Sequence, residues 1–248
     1  MSAMQLHDPD CDTIREEMDA LRGALQPPAL RIPLRDILEI GCGTGDMTRK
    51  IADAWPTVKI RALEVDRIQL ERNQARNRHT NINYESGATQ DIPCESESCD
   101  AVLMFKSLHH VPIDLLDQAL DEIHRVLRPG GVAWFAEPVF AGELNEIIRL
   151  FHDEQVVRRA AFDALVRASA DDRWAQTSEI HYLVPVQFRD FADFERKAMR
   201  VTHSDFGLTD ALIWCVREAF ERRMGQDGAR FVRPMRANLF RKADPAAC

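Results

Sequence analysis

The chain has 248 residues, 45% of them hydrophobic, with a formal net charge of −8 and a mean hydropathy of −0.32. That length fits one large α/β domain or two small ones, and no run approaches the roughly 20 apolar residues of a membrane span. An acidic chain is poorly suited to nucleic acid, because neutralising phosphates needs clustered Lys and Arg; the pairs Arg158-Arg159 and Arg222-Arg223 read as solvated helix faces. The opening MSAMQLHDPDCD lacks the basic start and apolar stretch of a secretory signal. The six cysteines (Cys11, Cys42, Cys94, Cys99, Cys215 and Cys248) form no C-x-x-C pair, so reduced thiols in a cytoplasm are expected rather than a zinc framework.

In chain order, residues 12–25 place Ile14, Met18, Leu21 and Leu25 at helical spacing, with Asp12 as N-cap and Pro27-Pro28 as the stop. The run Ile37 to Ile40 predicts a first strand entering Gly41-Cys42-Gly43-Thr44-Gly45. Helices over Asp46 to Trp55, Arg67 to Arg78 and Leu115 to Leu127 then alternate with strands over Val58 to Val65, Ile82 to Tyr84, Ala101 to Phe105 and Val132 to Ala136. The turn Arg128-Pro129-Gly130-Gly131 separates the last helix from the last strand. This alternation predicts a doubly wound parallel α/β sheet, with ligands beyond the carboxyl ends of its strands. Residues 141–170 read as helical, Glu179 to Phe188 and Ala229 to Lys242 as strands, and Asp190 to Val201 and Thr209 to Met224 as helices. With no linker-like stretch, a single domain over 1–248 is expected: a helical lid over 1–30, a core over 34–140, a helical insertion over 141–178, and the last strands and helices over 179–242.

The glycine spacing is G-x-G-x-G, not the G-x-G-x-x-G of a dinucleotide turn, and Asp46 occupies the sixth position. An acid at a helix N-terminus repels a pyrophosphate but suits a cationic ligand. Glu64 lies 19 residues past Gly45, at the end of the second strand, where a carboxylate can accept both ribose hydroxyls. Asp66 competes for that role, but it stands where the next helix needs an N-cap.

The blocks ILEIGCGTGDMTRKIA, ALEVD, GATQDIP, CDAVLMFKSLHHV and IHRVLRPGGVAWFAEP resemble, in order and spacing, those of class I S-adenosylmethionine-dependent methyltransferases. The likeness is greatest to the small-molecule group that includes the ubiquinone and menaquinone methyltransferases. The resemblance covers about 34–140. It implies a seven-stranded Rossmann-like sheet with a helical insertion after strand five, and S-adenosyl-L-methionine as cofactor. Glu39 and the backbone of Gly41, Cys42, Gly43 and Gly45 would hold the methionine end, Glu64 the ribose, and Val65 would pack on adenine. Phe105 would lie beside the methionine moiety. Ala88 and Thr89 stand where the family usually has an Asp and a small residue; Ala88 cannot accept from the adenine amino group, which leaves backbone groups or Asp91 for that contact.

Methyl transfer from a sulfonium releases a neutral thioether, so alignment matters more than acid catalysis. Candidate acceptor-side groups are Lys106, Ser107, His109, His110 and Glu137, with His110, Glu137 and Lys106 the catalytic choices. No His/Asp cluster in the sequence suggests a metal. Met104-Phe105-Lys106-Ser107 stands where related enzymes acting on nucleic-acid and protein nitrogens carry N/D-P-P-Y/F, which favours a small-molecule substrate over nucleic acid. Phe151, His152, Phe162, Trp174, His181 and Tyr182 are expected near the lid. The competing readings are a non-catalytic S-adenosylmethionine-binding relative and a nicotinamide-dependent oxidoreductase, the latter opposed by the glycine spacing and Asp46. Self-association as a homodimer, and the choice among O, N, C and S acceptors, stay open.

Overall fold

The computed structural model describes residues 4–202 and 204–243, apart from the side chains of Gln176 and Thr177. Within them lie β1 (Asp36–Ile40), β2 (Lys59–Glu64), β3 (Ile82–Ser86), β4 (Cys99–Phe105), β5 (Leu127–Pro138), β6 (Trp174–Phe188), β7 (Met224–Gly225) and β8 (Gly228–Lys242). They form one sheet in the order β3-β2-β1-β4-β5-β8-β6, with β7 on β8. β7 is the addition to the seven expected strands, a two-residue ladder that closes the turn into β8. The first five strands run parallel, and β8 lies antiparallel between β5 and β6. Strand order reverses between β1 and β4, so a crevice opens at their carboxyl ends.

The helices are α1 (Glu17–Ala24), α2 (Asp46–Ala54), α3 (Arg67–Arg76), α4 (Leu116–Val126), α5 (Glu143–Ile148), α6 (Gln155–Ser169), α7 (Phe191–Phe194) and α8 (Asp210–Glu221). A parallel sheet must be covered on both faces, which is why every residue of β4 is buried. α1, α2 and α3 cover Ile37, Ile60, Leu103 and Trp134 on one face. α4 and α6 cover Leu38, Val102, Met104 and Phe135 on the other.

The segment expected to be a helical insertion over 141–178 divides. α6 lies flat on the sheet through Ala161, Ala164 and Leu165, and the chain is already in β6 by Trp174. Only α5 leaves the sheet. It joins α7, α8, Phe188 and Phe231 in a separate apolar cluster carried by the long β6–β8 pair. Of the residues expected in the lid, Phe162 and Trp174 are buried against the sheet instead, and Tyr182 packs with Leu21 and Met235. Phe151 belongs to the outer cluster, edge-on to Phe194 and Phe206.

Two local expectations are corrected. The first helix begins at Glu17, not near Asp12, and Ile14 is 65% exposed. Residues 13–15 instead pair with the edge of β6, where Arg15 donates its N–H to the Leu183 carbonyl and Leu183 donates to the Thr13 carbonyl. An open strand edge offers these backbone groups partners that a frayed helix start does not. The Arg128–Gly131 turn lies inside β5, as an irregularity between the Cys99–Leu127 and Ala101–Val132 pairs. Cys11, Cys42, Cys94, Cys99 and Cys215 are free, and Cys248 lies outside the described residues. No helix among the described residues is long and apolar enough to cross a membrane.

Phe220 is fully buried at the centre of the outer cluster, within 6.2 Å of the Phe188, Phe191, Phe194 and Phe231 rings. Phe220→Ala should cost about 3–5 kcal/mol locally. Hydrogen exchange should rise in α5 and α8 and stay unchanged in β1 and β4; an even rise through all of them would show that the cluster is not separate.

Candidate functional site

The glycine turn rises from β1 and is tied to β2, because the Leu63 carbonyl accepts from the N–H groups of Gly41 and Cys42 at 2.9 and 3.1 Å. Gly41 (φ +71°) passes so close to the loop after β4 that a Cβ would stand 2.6 Å from that of Ser107. Gly43 (φ +54°) is the opposite case, with nothing within 4 Å of a would-be Cβ. Its left-handed backbone borders open space, which is what a ligand-approaching turn requires. Asn73 of α3 braces the turn by donating to the Gly43 carbonyl at 2.7 Å.

Two carboxylates converge on this turn. Glu64 is buried; its Oε2 accepts from Gly43 N–H at 2.6 Å, and its Oε1 accepts from Val65 and Asp66 N–H at 2.9 Å. Asp66 caps α3 by accepting from the Ile68 and Gln69 N–H groups, and Thr202 donates to it. Glu39, on β1, is 2% exposed, and its Oε2 has no hydrogen-bond partner among the described residues. The Thr48 and Tyr84 hydroxyls are also buried without partners among the described residues. Desolvation pushes the Glu39 carboxyl up to about 7. An unpaired, buried carboxyl beneath an open glycine turn is a poor structural device and a good receptor for a cation.

Other expected residues gather at the same edge. Val65 is 65% exposed beyond β2, an apolar side chain without a protein surface to cover it, while Phe105 is buried at the end of β4. Ala88 and Thr89 follow β3 in a tight turn, where Asp91 N–H reaches the Ala88 carbonyl at 3.3 Å.

The acceptor-side candidates divide. Lys106 does not offer a free cation to a substrate: its Nζ is held by both oxygens of Glu17, at 2.6 and 2.8 Å, which pins α1 to the loop after β4. Glu137 does not suit a general base. It is buried, accepts from the Ser107 and Leu108 N–H groups at 3.1 and 2.9 Å, and pairs with His109 Nδ1. Burial opposes its ionisation, but His109 and the Leu108 N–H outweigh that and hold the carboxyl below its usual range. Ser107 donates to the Ile40 carbonyl at 2.8 Å. His110 is exposed, its ring 4.2 Å from that of His109.

A residue that sequence reasoning missed completes this arrangement. Glu154 lies between α5 and α6 and reaches His109 Nε2 at 3.2 Å, His152 Nε2 at 2.8 Å and the Arg158 guanidinium. Arg158 is therefore no solvated surface charge, its side chain being only 11% exposed. Burial opposes charge on Glu154 too, yet the bonds from His109 and His152 hold its carboxyl far below the ordinary range. Between two carboxylates, His109 overcomes its own burial and is pushed up to about 9. Contrary to the expectation of no such cluster, His109, His110 and Glu154 bring potential metal-ligand atoms within 4.8 Å of one another. The described contacts make the group an ionic clasp. No periodicity marks Glu154 in the sequence, and only the tertiary approach of α6 to the loop after β4 reveals it.

Residues 37–131 match the family model described as "Methyltransferase domain". Among curated relatives, the fatty-acid O-methyltransferase of Mycolicibacterium smegmatis is 27% identical over 158 residues, covering 62% of this chain and 57% of that protein. The demethylmenaquinone methyltransferase of Lactobacillus johnsonii is 29% identical over 140 residues, covering 54% and 56%. The chain thus spans little more than half the length of these relatives. The YcgJ protein of Bacillus subtilis shares the fold at TM-score 0.57 and 16% identity, over 85% of this chain and 93% of that one. So does the [4+2]-cyclase SpnF, at TM-score 0.53 and 18% identity, over 91% and 81%.

The clasp generates a pH-dependent stability. A histidine raised from 6.5 to about 9 contributes stabilisation that is fully present below pH 6.5 and lost as pH rises through 9. His109→Gln should therefore unfold more easily than the wild type at pH 6.5 by about 3–5 kcal/mol, with the gap shrinking by about 3 kcal/mol towards pH 9.5. Denaturant titrations at both pH values measure this, and a gap that does not change with pH would mean that His109 is buried neutral.

Proposed function

From a chain whose residues 37–131 match a methyltransferase domain model, we propose that the protein transfers a methyl group from S-adenosyl-L-methionine to a small organic acceptor. The observation that carries this reading is the unpaired Glu39 carboxyl buried beside the open turn at Gly43. The residues fit the cofactor. Glu39 would take its ammonium group, the Gly41–Gly45 backbone its methionine end and Glu64 its ribose; Val65 and Phe105 would flank it. Ala88 leaves the adenine amino group to backbone carbonyls or Asp91.

The bound cofactor supplies an electrophilic methyl group on a sulfonium. The protein aligns the acceptor and excludes water. With Glu137 in the clasp and Lys106 on Glu17, His110 is the side chain we assign to receive a proton from acceptors that arrive protonated. The relatives' names speak for small organic acceptors, and the five free thiols fit a reducing cytoplasm.

Calorimetric titration with S-adenosylmethionine, S-adenosylhomocysteine and NAD tests the proposal. Micromolar binding of the first two and none of NAD is expected; failure of both adenosyl ligands sinks it. Glu64→Ala should weaken S-adenosylhomocysteine binding by at least tenfold, since charge-assisted hydrogen bonds of about 1.5–3 kcal/mol each are lost. Asp66→Ala should cost about 1 kcal/mol of stability through the lost cap and change affinity little. The reverse ranking would exchange their roles.

Glu39→Gln should pull stability and binding apart. A carboxyl raised from 4.5 to about 7 imposes a penalty that is absent below pH 4.5 and complete above pH 7. At pH 8 the variant should be more stable than the wild type, by up to about 3 kcal/mol, yet bind S-adenosylmethionine more weakly. Lower stability together with intact affinity would remove Glu39 from the cofactor site.

A further inference from the structure

Around the crevice, formal charges are matched in hydrogen-bond contact: Lys106 with Glu17, Arg158 with Glu154, and His109 with Glu137. Arg233, like Glu39, is an exception. It sits on β8 opposite Val184 of β6, half-buried, and no described residue gives its guanidinium a hydrogen bond or an ion pair. The charges that reach it are those of Glu17, Glu154 and Arg158, of which both acids are already engaged and the arginine is repulsive.

Those neighbours locate it. Glu17 is the partner of Lys106, just past β4, and Glu154 is the partner of His109 in the loop that follows. Pro138 pairs with Met235, and Val139 N–H donates to the Pro234 carbonyl, so Arg233 lies just past the carboxyl end of β5, on the acceptor side of the crevice. Nearby on the β6–β8 pair, Tyr182 is 1% exposed and its hydroxyl has no partner among the described residues. Arg236, three residues along β8, shows what a satisfied arginine looks like in this strand: it donates to Asn238 and to the Leu6 carbonyl, and lies 4.4 Å from the Phe162 ring.

A half-buried guanidinium that solvent still reaches, with no counter-charge in contact, is open to a ligand that supplies one. Its planar fork matches a carboxylate in a two-point contact. We infer that Arg233 seats a carboxylate of the acceptor, so that the substrate class is small organic carboxylates rather than neutral molecules. A single guanidinium suits a singly charged carboxylate better than a doubly charged phosphate. This inference rests on the methyl-transfer reading for the identity of the crevice, and it adds the acceptor's charge.

The test uses the full chain saturated with S-adenosylhomocysteine, titrated with benzoate, octanoate, benzamide, octanamide and octyl phosphate, with binding followed by ligand-observed NMR. At least one carboxylate should bind tenfold or more tighter than its amide. Arg233→Gln should erase that preference while leaving the affinity for S-adenosylhomocysteine within about twofold. Arg233→Lys, which keeps the charge and loses the fork, should retain part of it. Equal binding of acid and amide, a preference that survives Arg233→Gln, no carboxylate binding at all, or tighter binding of octyl phosphate would each overturn the assignment. If Arg233→Gln fails to fold, the drop between wild type and Arg233→Lys decides instead, and an undiminished preference in the lysine variant overturns the two-point contact. If S-adenosylhomocysteine does not bind the wild type, the methyl-transfer reading fails; the acid-to-amide ratio, measured without it, still decides for or against Arg233.

Discussion

A charged imidazole held between two buried carboxylates joins the parts of this molecule that would otherwise be independent. Glu137 belongs to the end of β5, His109 to the loop after β4, and Glu154 to the connection between α5 and α6. The same Glu137 fixes the backbone of Ser107 and Leu108, and Ser107 in turn abuts Gly41. The position of the glycine turn thus depends on an ion pair formed on the far side of β4. Buried pairs of this kind add little net stability over apolar packing, but breaking one leaves a stranded charge. Their effect is to specify one arrangement of the loop.

The sheet divides its charged groups by task. Those that hold the fold are matched. Asp100 accepts from the N–H groups of Arg35 and Asp36 and from Arg128 at the amino-terminal edge, and Asp66 caps α3. Those without partners among the described residues, Glu39 and Arg233, lie at the opposite edge and carry opposite signs. One strip of the molecule therefore holds unsatisfied electrostatics of both signs, in keeping with the tension between stability and function seen where sites are built for ligands.

Much of this was legible in the chain. Buried parallel strands read as short apolar runs, so the alternation from 34 to 140 gave the correct order of elements, and the helix start at Arg67 marked Asp66 as its cap. What could not be read was which of several similar side chains finds a partner. A carboxylate at the end of β5 looks the same in sequence whether it is a base or one arm of a clasp; Glu154 decides, and it arrives from the far end of α5. The apolar residues likewise marked 141–170 as helical throughout, but could not say that the stretch divides, with α6 packing on the sheet and α5 on phenylalanines near the end of β6 and in α7 and α8. The pairing of residues 13–15 with β6 was hidden for a similar reason: helical spacing is a local signal, and a free strand edge is a distant one.

The placement of β8 has a consequence for how the molecule is made. Residues 228–242 insert between β5 and β6, pairing with both. Until they emerge during synthesis, the sheet is interrupted, and two long strands present unpaired backbone edges to the surroundings. Such edges are templates for pairing with other chains. The nascent protein therefore passes through a vulnerable interval that ends only when β8 closes the gap, so its yield in a cell would be governed more by how fast that closure outruns association than by the stability of the finished fold.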